Sequence, residues 1–394
     1  MKTHKNILSM LLMACLLIAS TTAAAVDYRE PSSSPPGGLT AKQVPQFVVI
    51  GFDDNLLASG MDWVGNLLLN RKNPSGRGYR GTYDGTPART SFYMNTEGLN
   101  DWLSDDPIRL KASMMRLKQQ QHEIGNHTKN HHADLVSDNW DSFEQIMTNL
   151  SVADWQPRIQ QCTDDLKQQL GAPTTVVSGF RAPFLRYNQA MFTTLLQQGI
   201  RYDCSIEEGY DPSFNGKNFR WPYTLHNGSP GHSENWAGSP YNPNQVVLGS
   251  TPGLWELPNH VLMIPYSSVG LRYGIQPGLR SRIADQTGFY SDRITGFDYN
   301  LWAHAKVNKT EFVGILKYNL DLRLQGNRAP MMFGAHSQFY VDPEWAANNA
   351  PQVTMTEMQS ALREFIDYAL SKPMVRMRPA RDVISWSRNP VPLR

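Results

Sequence analysis

Short, continuous runs of apolar, largely β-branched residues recur along this chain, and segments of helical spacing lie between many of them. Gln46–Phe52 (Gln-Phe-Val-Val-Ile-Gly-Phe) sets the type, and similar runs follow at Arg89–Met94, Glu123–Asn126, Val176–Phe180, Ile200–Ser205, Leu254–Leu257 and Met331–Ala335. A strand that is apolar on both faces is buried on both faces, as in parallel sheets. Helical spacing appears at Pro107–Gln120, Phe143–Leu170, Thr310–Leu324 and Thr356–Leu370. Strands alternating with helices predict a parallel α/β architecture, and a barrel of this kind keeps its chemistry on loops at the C-terminal ends of its strands. Glu207–Ser250, dense in Asn, Gly, Pro, Ser and aromatics, interrupts the pattern. Structureless stretches of this length are usually functional, so it reads as an insertion over that face.

The N-terminus has a different character. Basic Met1–Lys5, apolar Ile7–Ser20 and small Ala23-Ala24-Ala25 form a secretory signal, with cleavage expected after Ala25. A membrane anchor is disfavoured because the apolar run falls short of the ~20 residues a span needs. A lipoprotein signal ending at Cys15 is disfavoured because apolar sequence continues past it. No second apolar stretch is long enough to span, so the mature protein, secreted or periplasmic, should carry no membrane segment. Residues 26–44 read as an extended lead-in rich in Pro, Ser and Gly, and residues 45–394 as one catalytic domain. A formal charge of +2 gives no field that would favour nucleic acid. Cys162 and Cys204 can pair or stay as buried thiols, but two cysteines are not a disulfide scaffold.

Polar clusters close the apolar runs. Asp53-Asp54 closes the first, His127-Thr128-Lys129-Asn130-His131 the third, Arg181-Ala182-Pro183-Phe184 the fourth, and His336 the last. Separate strand ends meet around one pocket in a barrel. If the chain turns helical after His127, the two imidazoles share a face and can bind one metal. A carboxylate from Asp53-Asp54 completes a His, His, Asp set that leaves room for water, as zinc does at catalytic sites. The other Asp can take a proton from the attacking water; spacing alone leaves open which Asp does which. Arg181 can hold a carboxylate ionised, and His336 can protonate a leaving amine. His122-Glu123 preceding His127 is one residue too long for the H-E-x-x-H zinc motif, so His122 and His132 read as bystanders.

Gly51-Phe52-Asp53-Asp54, His127-x-x-x-His131, Arg181-x-Pro183-Phe184 and the late His336 together resemble the ordered motifs of the polysaccharide deacetylase family (carbohydrate esterase family four). Trp221-Pro222-Tyr223-Thr224-Leu225, Pro252–Pro258 and Asn327-Arg328-Ala329-Pro330 are similar to the longer, arthropod-type chitin deacetylases. The resemblance implies a distorted α/β barrel with fewer than eight repeats and an enzyme removing N-acetyl groups from a polymer or oligosaccharide of N-acetylglucosamine. It implies Asp53 as general base, oriented by Arg181. Asp54, His127 and His131 would ligate zinc or a similar divalent ion, the backbone N–H near Phe184 would join the metal at the oxyanion, and His336 would be the general acid. Trp221, Trp236, Tyr241 and Trp255 are the aromatic candidates for sugar contacts. The sequence departs from the family at Gly51, where Thr or Ser is common, at Asn55, where a smaller residue is common, and at Gly334, where Leu is common. For the family's acid-tuning fourth motif, Asp203 and Trp255 are the candidates. An esterase on acetylated xylan would use the same residues. A carbohydrate binder without catalysis, or a non-haem iron oxygenase with a two-His, one-carboxylate site, are the readings from other classes.

Overall fold

Strand β1 (Gln46–Asp53), buried along its whole length, is the hub of the molecule. The structure is a computed structural model that describes residues 27–101, 103–171, 177–236, 247–287 and 291–394, without the side chains of 234–236 and 287. The expected signal segment and Tyr241 lie outside the described residues. After β1 come β2 (Ser91–Met94), β3 (Glu123–Asn126), β4 (Gly179–Phe180), β5 (Tyr202–Asp203), β6 (Glu207–Glu208), β7 (Tyr223–Thr224), β8 (Trp255–Glu256), β9 (Asn259–Met263), β10 (Arg293–Thr295), β11 (Met331–His336) and β12 (Val375–Met377). The main sheet runs β11-β1-β2-β3-β4-β5-β8-β7, with β12 also on β1. All these pairings are parallel except β7 on β8. A smaller sheet, β10-β9-β6, reaches back to β11 where Gly334 N–H donates to Gly296 O at 2.8 Å. The distorted, incomplete α/β barrel expected from the sequence is borne out.

Helices α1 (Ala58–Leu68), α2 (Pro107–Gln119), α3 (Trp140–Thr148), α4 (Val152–Leu170) and α5 (Gln189–Gln197), and two later helices at Lys309–Gln325 and Met355–Leu370, surround the sheet. The segment expected as one helix over Phe143–Leu170 is two. Asn139 caps α3, and Ser151 starts α4 afresh in a reciprocal cap with Asp154. Side-chain oxygens at these positions satisfy the first free N–H groups of a helix, so each marks a new start.

The insertion from Glu207 onward differs from a simple covering loop, because its β7 extends the main sheet. The lead-in is strapped to it: Trp221 N–H donates to Ser32 O and Thr224 N–H to Arg29 O, both at 2.9 Å. Cys162 and Cys204 are buried free thiols.

Rings fill space that glycines leave inside the curl of the sheet. Gly51 and Gly334 face each other across β1 and β11. A β-carbon at Gly334 would lie 2.2 Å from the Phe297 ring, and one at Gly51 would lie 3.0 Å from Tyr93 and 3.1 Å from Arg181 Nη1. Gly125 and Gly179 make room likewise for Tyr93 and Tyr202. This ring layer forms the floor on which the strand-end residues stand.

Candidate active site

The first constraint on the site is the turn that ends β1. Asp53 is the last strand residue, level with His336 of β11. Asp54 and Asn55 then adopt left-handed φ values of 63° and 59°. Such angles are uncommon outside glycine and persist where surroundings enforce them. Asn55 is the enforcement. It is buried, its amide donates to Phe52 O (2.9 Å) and Tyr93 O (3.0 Å), and its Oδ1 accepts from Ser337 Oγ (2.9 Å). The turn directs two adjacent carboxylates, which a regular strand would send to opposite faces, into one site.

His127 and His131 arrive on a loop, so the expected helical face is corrected. Thr128 and His131 take φ values of 65° and 52°, and hydrogen bonds hold the backbone. Asn126 Oδ1 accepts from Thr128 N–H at 2.8 Å, Asn95 Nδ2 donates to His127 O at 2.5 Å, and Lys129 O accepts from both Thr96 and Glu97 N–H at 2.9 Å. The imidazole centroids lie 5.0 Å apart. His127 Nδ1 is 2.7 Å from Arg181 O, a carbonyl that can only accept, so Nδ1 carries a proton and the lone pair of the neutral ring is on Nε2.

That lone pair faces Asp54. His127 Nε2 and His131 Nε2 stand 3.4 and 3.5 Å from Asp54 Oδ1. Oδ1 is buried and makes no hydrogen bond, while Gln338 Nε2 donates to Oδ2 at 3.1 Å. Three ligand atoms converging within 4.8 Å of one another, with their lone pairs unspent, fit a divalent cation. Burial, then the neighbouring imidazoles, push His131 down to about 4, so it is neutral near pH 7. Asp54 lies below the usual carboxylate range: burial opposes ionisation, but His131, His127 and His336 outweigh it.

Arg181 is fully buried. Its Nη1 donates to Asp53 Oδ1 at 3.1 Å and its Nε to Cys204 O at 3.2 Å. Its guanidinium carbon lies 4.9 Å from the Tyr93 ring centroid and 5.1 Å from that of Phe297. Held by the two rings, the cation meets the carboxylate in a fixed orientation. Burial raises the Asp53 carboxyl, with Arg181 the largest opposing influence.

His336 Nδ1 is 2.8 Å from Asp298 Oδ1, and its backbone N–H donates to Asp298 Oδ2 at 2.9 Å. His336 Nε2 lies 3.9 Å from Asp54 Oδ2. Burial lowers the imidazole, but Asp298, then Asp54 and Asp53, raise it to about 9. Asp298, and neither Asp203 nor Trp255, is the residue in contact with the His336 imidazole. Asp203 is instead buried against Ser205, whose hydroxyl donates to it at 2.8 Å. A signal was present: Gly296-Phe297-Asp298 follows β10 just as Gly51-Phe52-Asp53 completes β1.

Phe184, with Leu185, takes left-handed φ values (55° and 56°), and its ring meets His131 edge-on at 4.4 Å. Two expected sugar contacts are corrected. Trp221 is wholly buried, packed against Trp386, and Trp255 is 4% exposed, so their rings serve the core and offer no sugar-stacking face. The Trp236 side chain and Tyr241 lie outside the described residues. His122 accepts from Thr90 N–H at 3.2 Å and His132 packs edge-on to Trp155 at 5.1 Å, neither among the converging ligand atoms.

The strand ends bring two carboxylates, three imidazoles and a guanidinium together, and comparison with known proteins shows what the chain is similar to. Residues 86–202 match the family model described as polysaccharide deacetylase. Chitin deacetylase 8 of Bombyx mori is 26% identical over 373 residues, 93% of this chain and 77% of that relative. Chitin deacetylase 1 of Bombyx mori is 24% identical over 358 residues, 90% of this chain, and the chain spans about half (53%) of its length. A solved structure from Mycobacterium smegmatis, assigned provisionally as a polysaccharide deacetylase, is 13% identical and covers 91% of this chain and 95% of its own, with a TM-score of 0.46. Among the described residues no helix is long and apolar enough to cross a membrane.

Proposed function

We propose that this chain is a metal-dependent hydrolase that removes N-acetyl groups from N-acetylglucosamine units of chitin or chitin oligosaccharides. The observation that carries this reading is the buried Asp54 Oδ1, which makes no hydrogen bond and has two imidazole nitrogens at 3.4 and 3.5 Å. A divalent cation held there by Asp54, His127 and His131, zinc by donor type, supplies a Lewis acid for the acetamide carbonyl and the attacking water. Asp53, oriented by Arg181, takes the proton from that water. The backbone N–H of Phe184 donates to the oxygen that becomes an oxyanion as the amide carbon turns tetrahedral. His336, kept protonated by Asp298, gives a proton to the sugar nitrogen, and acetate departs. The catalytic unit is residues 45–394, preceded by the strapped lead-in. Residues 1–25 act as an export signal, so the purified mature protein should begin after Ala25 on N-terminal sequencing.

The test is acetate release from N-acetylglucosamine oligomers by protein stripped of metal and then given zinc, with a His127→Ala variant as control. Zinc-restored release that the variant lacks supports the reading. Release only from acetylated xylan moves the substrate, and binding without release under any metal makes the chain a carbohydrate binder.

A further inference from the structure

Where the insertion meets the barrel, a positive charge is buried without an acid. Arg323 lies in the last turn of the helix Lys309–Gln325 and is fully buried. Asn319, one turn earlier, locks this helix to β9. Its Oδ1 accepts from Met263 N–H at 2.7 Å and its Nδ2 donates to Met263 O at 2.9 Å. Arg323 Nη1 donates to Asn319 O at 3.3 Å, while Nε and Nη2 have no hydrogen-bond partner among the described residues. Those two nitrogens form one edge of the guanidinium fork. Arg71 presents the same edge to Asp367, Nε donating to Oδ1 at 2.7 Å and Nη2 to Oδ2 at 3.0 Å. The Phe219 ring of the insertion stands 4.8 Å from the Arg323 guanidinium carbon and stacks on His260 at 4.6 Å. Burial, then Arg323, keep His260 neutral near pH 7, and Arg220 Nη1 lies 3.5 Å from Glu208. The unpaired charge of this region is therefore that of Arg323.

A guanidinium keeps its proton at any working pH, and a buried charge is tolerated when it is paired. The C-terminal end of the helix and the Phe219 ring favour a cation here, but neither accepts from Nε–H or Nη2–H. Burial lowers Arg323 to about 9, and among the described residues no acidic group offsets that shift. We propose that the Nε–Nη2 edge of Arg323 binds a small monovalent anion of the chloride class, completing the join between the insertion and the barrel. One unpaired positive charge calls for one negative charge, so a divalent oxyanion would bury a surplus. A fully buried edge also admits an ion of one atom more readily than a phosphate or sulfate. The site uses no residue of the strand-end centre and does not rest on the deacetylase reading.

Two measurements on the full chain test this. Urea unfolding is followed in chloride and in gluconate, an anion too large for the interior, at matched ionic strength. About 100 mM chloride should shift the folding equilibrium about tenfold toward the native state, as a site with a Kd of about 10 mM does by mass action. Arg323→Met should abolish this response, whereas Arg109→Met, at an arginine whose side chain is 62% exposed, should keep it. Crystals soaked in bromide should give an anomalous peak within hydrogen-bonding reach of Arg323 Nε and Nη2, a reading that holds even if Arg323→Met fails to fold. No bromide peak at Arg323 overturns the proposal. A peak there with no chloride response in unfolding means an adventitious ion only, and overturns it too. A chloride response that survives in Arg323→Met overturns it as well, because it then comes from charges elsewhere on the protein.

Discussion

Replacing Asp298 with Asn tests the acid end of the site with little change of shape. Asn keeps an oxygen that can accept from His336 Nδ1–H but removes the charge. The rise of His336 from 6.5 to about 9 corresponds to roughly 3 kcal/mol favouring the imidazolium, at 1.36 kcal/mol per pH unit. Burial acts against that rise and Asp298 is its largest source. A cation on Asp54 further offsets the Asp54 share. With Asp298 neutral, burial wins and the imidazole titrates at or below its ordinary value. At pH 8 the protonated fraction then falls from about nine-tenths to about a thirtieth, and acetate release should fall about thirtyfold.

The assay is the rate of acetate release across pH 5–10. The parent should lose activity along an alkaline limb at or below about 9, and Asp298→Asn along a limb displaced to lower pH. Stability supplies a second reading. A group whose pKa is raised in the fold stabilises it fully below its unfolded value, and that contribution is lost as pH climbs through the folded value. The parent should therefore lose up to roughly 3 kcal/mol between pH 6.5 and 9 in urea unfolding, and the variant should lack this loss. A variant slowed at every pH with its alkaline limb unmoved would show that His336 is not the proton donor.

Three further outcomes are expected. His127→Ala should weaken zinc binding by more than about a hundredfold in calorimetry, since even outer-shell changes cost 10–100-fold. Gly334→Ala, whose methyl would meet the Phe297 ring at 2.2 Å, should destabilise by about 1–3 kcal/mol in thermal unfolding. Gly98→Ala, with Leu110 no nearer than 3.4 Å, should be nearly neutral, and adding Phe297→Ala should recover part of the Gly334→Ala loss. Arg181→Ala should cost about 3–5 kcal/mol in urea unfolding by leaving Asp53 buried without its partner, and a loss below 1 kcal/mol would mean that the pair contributes little.

The strands of the barrel were legible because a parallel strand covered on both faces is apolar along its length, and β3 falls at the boundaries read from the sequence. The shorter strands were overextended. Only Tyr202–Asp203 and Trp255–Glu256 pair within the longer apolar runs, since apolar character reports burial and a ladder needs a partner. The strand-end polar clusters marked where to look, and the structure brings Asp53, Asp54, His127, His131, Arg181 and His336 to one place. Asp298 escaped because its strand is only three residues long, Arg293–Thr295, and begins with a charge. The sugar-contact candidates were chosen for aromatic density in the insertion, where Trp221 proves to be core. Composition does not separate a ring that faces solvent from one that faces the sheet.

The two glycine departures from the family pattern are adjacent in the sheet. Gly51 and Gly334 are register partners, and their missing side chains leave adjoining spaces, taken by Tyr93 and Arg181 at Gly51 and by the Phe297 ring at Gly334. Phe297 enters from the segment after β10, covers Gly334 and lies against Arg181. The next residue, Asp298, is thereby brought beneath His336. A β-carbon at Gly334 would displace Phe297, and with it both the ring that steadies Arg181 and the carboxylate that charges His336. The Asp53 and His336 ends of the site, far apart in sequence, are therefore linked through the Phe297 ring, which lies against Arg181 and precedes Asp298. A larger residue at Gly334 cannot be accommodated without moving residue 297, which places the constraint on the pair of positions together.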